Sequence, residues 1–455
     1  MITDNEEIMK LFPFEPTSDQ KTVLKLLKDF LVNSPDDFFI INGSAGTGKT
    51  LLMSVCVDFL IKKKINYSIA APTGRAARIL ASKANVPCST IHSLIYNVST
   101  DPDEGTIRFN LKDNEATDYT VFIVDEASMV SSKSIADQES LFEGGNCLLD
   151  DFIYFVKQGN DLNKIIFVGD KNQLPPVKEE FSAALSKDYL RENYNISGNS
   201  YRLEQVKRQN KNSPLYLCIE NIKDSIENKA LDIGTKEFFK EYKQLQAEYS
   251  YALDYDEKGY EYCTAIAYAK SKNLEFNLNV RSILFDNPTD KIVTGELLII
   301  NRTLRKSEYT LYNGDHVIVK KIDLNDIHRI EKLEFAKITI EAKDINNKTF
   351  EVEDFILLNT LDSVQGLKVK EEKALHQNRK IQNKKYRENG NAMEDPYLGA
   401  IRALYGYSIT VHKAQGGEWE KVYISDWFPE SNTYFNSKYT AFTRAKNEVF
   451  IYNKY

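Results

Sequence analysis

Gly43-Ser44-Ala45-Gly46-Thr47-Gly48-Lys49-Thr50 fits the pattern G-x-x-x-x-G-K-[ST], a loop built to hold the phosphates of a nucleotide. Its flanks suit that task. The apolar run Phe38-Phe39-Ile40-Ile41 predicts a strand entering the loop, and the pattern from Leu51 to Ile61 predicts a helix leaving it. Glycines let backbone N–H groups close around phosphate, and the helix N-terminus adds a favourable dipole. The candidate nucleotide contacts are Gly43, Ala45, Gly46, Thr47, Gly48, Lys49 and Thr50. Lys49 would reach the β/γ-phosphates, and Thr50 would ligate Mg²⁺. A chance match in a loop would lack this strand–loop–helix context.

Working outward, further apolar runs at Tyr67–Ala71, Val121–Val124 and Ile165–Val168 predict strands that alternate with helical stretches. That alternation implies an α/β fold with a parallel sheet and helices on both faces. Each run ends in a polar signature: Gly43–Thr50, Pro72–Arg75, Asp125–Ser128 and Gly169–Gln173. Ligands of such sheets bind beyond the carboxyl ends of the strands, so four signatures on one edge point to one site. Asp125 would help hold the metal. Glu126 would orient and activate an attacking water. Gln173 is placed to sense the γ-phosphate, although a Pro-terminated turn reads the same way.

Composition bounds the rest. The 455 residues suggest about two to four domains. With a net charge of -7, any nucleic-acid surface must be a local basic channel on an acidic body. The five cysteines are scattered without a C-x-x-C pair and read as buried thiols in a reducing compartment. The stretch Met1–Lys10 lacks the features of a signal peptide, and no apolar run reaches membrane-span length. A soluble, cytoplasmic protein without membrane contact is expected.

Between Ser93 and Tyr119 a turn cluster precedes the alternating run Thr106–Leu111, predicting a small inserted hairpin. A second α/β segment is expected from about Tyr201, with a strand at Cys263–Ala269. From Gly295 to about Leu358 the pattern shifts to short β runs at Leu297–Asn301, His316–Lys321, Ala336–Ile340 and Thr349–Leu357, as in a small inserted β-barrel. Gly366–Asn391 is rich in Lys and Arg. It reads equally as a solvated helix or loop and as an arm that contacts nucleic-acid backbone. The second α/β segment resumes at Tyr405–Thr410.

The order of the motifs resembles superfamily 1 helicases of the RecD/Dda type, the branch that includes the Pif helicases. The matching residues are Pro16–Gln20, the phosphate loop, Ala71–Ala77, Thr90–His92, Asp125–Met129, Gly169–Pro176, Val206–Gln209, Val411–Gly416 and Thr440–Ala445. The match is poorest between Asn210 and Ile409. The resemblance implies two RecA-like domains with ATP and Mg²⁺ between them. The first would span residues 1–190, with a strand-separating pin at about 93–119. The second would span 191–294 and 401–455, and an SH3-like barrel with the basic arm would fill 295–400.

The resemblance also implies roles for single residues. Gln20 would read adenine, and Glu418 would contact ribose. Arg208 and Arg444 would act as arginine fingers, a task that suits a planar, always-charged guanidinium. Arg208 also reads as a surface ion-pair residue beside Lys207. Thr73, Arg75, Arg78, Thr90, His92, His412, Lys413 and Gln415 would hold single-stranded DNA or couple it to ATP. His92 and His412 read alone as structural histidines. Phe109 is the pin candidate and equally a hairpin-core residue, with Tyr96 and Phe122 as competitors. Trp419 reads as core. The implied activity is 5′-to-3′ DNA unwinding by a monomer acting on single strands and on forked or tailed duplex, alongside replication or repair proteins. The alternative is an ATP-gated DNA-binding subunit of a recombination, repair or defence complex.

Overall fold

The computed structural model describes residues 8–84, 86–100, 107–134, 142–143, 147–206, 211–228, 232, 234–344, 347–364 and 366–453. Its first sheet has six strands, all parallel, in the order Ser89–Thr90, Asn66–Ala71, Thr120–Val124, Lys164–Gly169, Phe38–Gly43, Gly198–Leu203. The apolar runs of the sequence are continuous because both faces are covered. Phe39, Ile41, Ile69 and Val121 enter one core, while Phe38, Ile40, Ala70 and Phe122 enter the other. Phe122 is therefore the core-strand residue its surroundings suggest.

The second sheet is also parallel, in the order Glu241–Lys243, Ala445–Asn453, Trp419–Ser425, Cys263–Ala267, Ser408–Thr410. Tyr201 does not open it. Gly198–Leu203 pairs with Phe38–Gly43, so the first sheet reaches past residue 190 to Leu203. Only the two ends of that strand, Gly198 and Leu203, are buried, which hides an edge strand from a hydrophobicity pattern.

A third, antiparallel sheet runs Thr349–Leu357, Leu333–Lys343, His316–Ile330, Leu297–Ile300, Ala403–Tyr405. The bridge Ile356↔Ile401 draws its two edges together. Ala403–Tyr405 thus belongs to this sheet and not to the second, because its backbone pairs with Leu298–Ile300. The antiparallel and second parallel sheets share one apolar core, in which Tyr251, Cys263 and Ala265 join Leu297, Ile338 and Ile340.

The inserted hairpin pairs Tyr96–Thr100 with Ile107–Leu111. The basic stretch forms two helices, Val369–Gln382 and Lys384–Asn389. All five cysteines are free and buried. No helix among the described residues is long and apolar enough to cross a membrane.

Candidate nucleotide and DNA site

The phosphate loop leaves the strand Phe38–Gly43 and enters the helix Lys49–Lys63. Gly46 and Gly48 have φ of 82° and 88°, a region that disfavours side chains. A Cβ on Gly48 would also lie 2.5 Å from Gln20 Nε2. Gln20 braces the loop, because its Nε2 donates to the Thr47 carbonyl at 3.1 Å. Its Oε1 accepts from Thr17 N–H at 3.0 Å, so the amide helps cap its own helix. Lys49 folds back on the loop, with Nζ donating to the Gly43 and Ser44 carbonyls at 2.6 and 3.1 Å.

Asp125 and Glu126 follow the buried strand Thr120–Val124. Loss of water and the neighbouring Glu126 push the Asp125 carboxyl up to about 7, while Lys49 and Lys83 pull it down. Glu126 has φ of 48°, left-handed for a residue with a side chain, and its buried Oε2 has no hydrogen-bond partner. Left-handed backbone is costly and persists where the surroundings enforce it. Gln173 is buried, and its Oε1 is likewise without a partner. These features fit Mg²⁺ and a triphosphate: a carboxylate short of positive charge, two buried unpartnered oxygens, and a loop of backbone donors at a helix N-terminus. Thr50 and Asp125 are the residues that would hold the metal.

The opposite wall comes from the second parallel domain. Tyr439 donates its hydroxyl to Asp170 Oδ2 at 2.9 Å and also bonds Ser44 of the loop. Leu174, directly after Gln173, is gripped at both backbone groups. Its N–H donates to Thr440 Oγ1 at 2.7 Å, and its carbonyl accepts from Gln415 Nε2 at 2.8 Å. Arg444 is buried nearby. Its guanidinium donates to the Thr440 and Gly417 carbonyls and to Thr443 Oγ1 at 3.0–3.1 Å. Arg208 lies outside the described residues. Asp170, Leu174, Tyr439 and Thr440 were not singled out in the sequence. Asp170, Leu174 and Thr440 do lie inside the motifs Gly169–Pro176 and Thr440–Ala445, which was the available signal.

The expected DNA contacts divide. Thr73 caps the helix Gly74–Ala84, its Oγ1 accepting from Ala76 N–H at 3.2 Å. Arg75 is buried with its guanidinium 4.6 Å from the Trp419 ring. Arg78 pairs with Asp315 at 3.0 Å and donates to the Lys343 carbonyl. Both guanidiniums pack between units in this conformation, and Arg75 Nη1 is buried without a hydrogen-bond partner among the described residues. Thr90 caps Ile91–Ile95 through Ser93 N–H. His92, Tyr96 and Phe109 form an aromatic trio with centroids 5.4–5.8 Å apart. Phe109 is half-buried there, at the packed base of the hairpin. Burial and Arg305 lower the His92 pKa.

Glu418 pairs with Lys83 at 3.3 Å, an ion pair between domains. Trp419 is buried and donates from Nε1 to the Tyr260 carbonyl. Lys413 and Thr410 line a groove with Lys270, Asn301 and Ser363, between the second parallel sheet and the antiparallel sheet. Burial and Lys270 push the Lys413 ammonium down to about 8, and the same two causes lower His412.

Two parallel sheets that meet across a phosphate loop, with a carboxylate pair on one wall and an arginine on the other, define a two-domain nucleotide-binding protein of the phosphate-loop class. Residues 17–236 match the AAA domain model, and residues 405–452 match the UvrD-like helicase C-terminal domain. An uncharacterized protein of Methanocaldococcus jannaschii is 26% identical over 98% of this chain, which spans only 38% of that relative's length. The RecBCD enzyme subunit RecD of Buchnera aphidicola is 25% identical, with 92% of this chain and 70% of that one aligned. Among solved structures, Pif1 helicase from Bacteroides in complex with ADP-AlF3 and ssDNA shares the fold: TM-score 0.53, 16% identity, and coverage of 96% and 92% of the two chains. By these matches the chain is similar to superfamily 1 helicases of the RecD/Dda, Pif-like type, and its AAA domain supports ATP hydrolysis.

Proposed function

We propose that this protein is a DNA helicase that moves 5′-to-3′ along single-stranded DNA and separates duplex. The double grip on Leu174 carries the reading. The residue beside the candidate γ-phosphate sensor Gln173 is held by Gln415, two residues after the groove residue Lys413, and by Thr440, whose helix Tyr434–Phe442 packs on Val411–Ala414. A change at the phosphates would therefore be felt where a strand would lie.

In this reading Lys49 binds the β/γ-phosphates, Glu126 orients the attacking water, and Arg444 with Arg208 neutralises transferring charge. Mg²⁺ held by Thr50 and Asp125 would supply charge neutralisation. Residues 1–190, extended to the strand ending at Leu203, act as the first motor unit. Residues 204–294 and 406–455 act as the second, since Gly198–Leu203 pairs in the first sheet and Ala403–Tyr405 in the antiparallel sheet. The antiparallel unit serves as an SH3-like clamp over Lys270, Lys413 and Asn301. Strand separation falls to the hairpin that Phe109 and His92 anchor. The working form is a monomer on single-stranded, forked or tailed DNA.

The test is ATP hydrolysis with and without single-stranded DNA, alongside strand displacement from duplexes with a 5′ or a 3′ tail. Stimulation with displacement from the 5′-tailed substrate alone is expected. Stimulation without displacement would replace this reading with the ATP-gated subunit. Absence of stimulation would remove the DNA reading.

A further inference from the structure

The helices Val369–Gln382 and Lys384–Asn389 have no part in the mechanism above. Residues 366–391 hold eight Lys or Arg against three Glu, in a chain whose net charge is -7. Glu371, Glu372 and part of the positive charge are spent on capping and on the inner side. Glu372 sits between Arg402 and Arg302 at 3.4 and 3.6 Å, and Arg379 pairs with Asp395 at 2.8 Å. Glu371 accepts from Lys368 N–H at 3.0 Å and so caps the helix. Leu375 and Tyr386 pack this side against Leu333, Phe335 and Leu357 of the antiparallel sheet.

The outer side is left basic. Lys370 and Lys373 are exposed one turn apart, and among the described residues no carboxylate pairs with either. The pair Lys384–Glu388, at 3.8 Å and highly exposed, ties up little charge. The chain enters this arm at Gly366, with φ of +80°, where a Cβ would lie 3.1 Å from Asn301 Nδ2. Asn301 Oδ1 in turn accepts from Lys413 Nζ at 2.7 Å. The start of the arm therefore abuts the groove that holds Lys270, Ser363 and Lys413.

We propose that the outer face of the helix Val369–Gln382 carries the phosphate backbone of the single strand running through that groove, with Lys370 and Lys373 as the contacts. This rests on the single-strand reading above and lengthens its footprint. Paired lysines on a rigid helix bind backbone without reading bases.

The test compares wild type with Lys370→Gln/Lys373→Gln and with Lys370→Arg/Lys373→Arg. Binding of oligothymidylates of about 4 to about 16 nucleotides is measured by anisotropy across a salt series. On the longest oligonucleotides the Gln variant is expected to lose about 1.4 from the slope of log affinity against log salt, at about 0.7 per single-strand phosphate contact. Its slope on the shortest should match wild type, and the Arg variant should restore the full slope. Equal slopes at every length, or equal losses at every length, would overturn the proposal while leaving single-strand binding standing. A loss seen only on blunt duplex would also overturn it, by naming duplex as the partner. Failure of the wild type to bind any oligonucleotide would remove both readings together.

Discussion

Thr440→Val deletes one oxygen at the point where the second domain holds the first. Valine keeps the shape of the side chain, which is fully buried. What disappears is the acceptor for Leu174 N–H, now bonded at 2.7 Å. With the cleft closed, that N–H would be buried without a partner, at about 1–3 kcal/mol. With the cleft open, water reaches it and the cost vanishes. The penalty thus falls on the closed state alone and lowers its population relative to the open state by about fivefold to about 150-fold. We predict a corresponding fall in DNA-stimulated kcat, with little change in melting temperature. Steady-state ATPase assays at saturating single-stranded DNA, paired with thermal melting, measure both. Wild-type kcat would refute the idea that this bond reports closure. A large drop in melting temperature would mean that Thr440 supports folding instead.

Three further predictions follow from the site. Lys49→Ala should abolish turnover, whereas Glu126→Gln should keep nucleotide affinity and lose hydrolysis; loss of binding in the second variant would mark Glu126 as structural. Phe109→Ala should loosen the hairpin on His92 and Tyr96, and so impair unwinding more than DNA-stimulated ATPase. Equal loss of both would remove the hairpin from strand separation. The third concerns pH. Because burial and Lys270 lower Lys413 to about 8, the free protein loses this charge as pH rises through that value, and a bound phosphate would raise it again. Single-strand affinity should therefore fall above about pH 8, and Lys413→Arg should flatten the fall; a flat wild-type profile would exclude Lys413 as a phosphate contact. The same depressed ammonium makes the unfolded chain bind more protons in this window. Its own contribution to stability consequently rises with pH above about 8.

Much of the motor was legible because its parts are local. A phosphate loop must follow a strand and start a helix, and an acidic pair must end a buried strand. Both signals lie within a few residues of chain. Other features escaped because distant partners create them. Ser89–Thr90 and Gly198–Leu203 are strands through their neighbours' hydrogen bonds, with little apolar pattern of their own. Arg75 and Arg78 resemble phosphate ligands in sequence, yet Trp419 and Asp315, far along the chain, claim them. Leu174 is held by its backbone and by burial of its side chain in the second domain's core, and both depend on partners far along the chain.

The shared core of the second parallel sheet and the antiparallel sheet sets what can move. Parting those two would bring Tyr251, Leu297 and Ile338 into water, so they travel as one piece. Their seam with the first domain is stitched instead by Tyr439–Asp170, Lys83–Glu418, Arg78–Asp315 and Arg305–Ser93. Groups of that kind trade partners with water at small net cost. Wet stitches can be undone and remade on every turnover, and the apolar cost of each opening falls on side chains such as Leu174, which sits in the second domain's core.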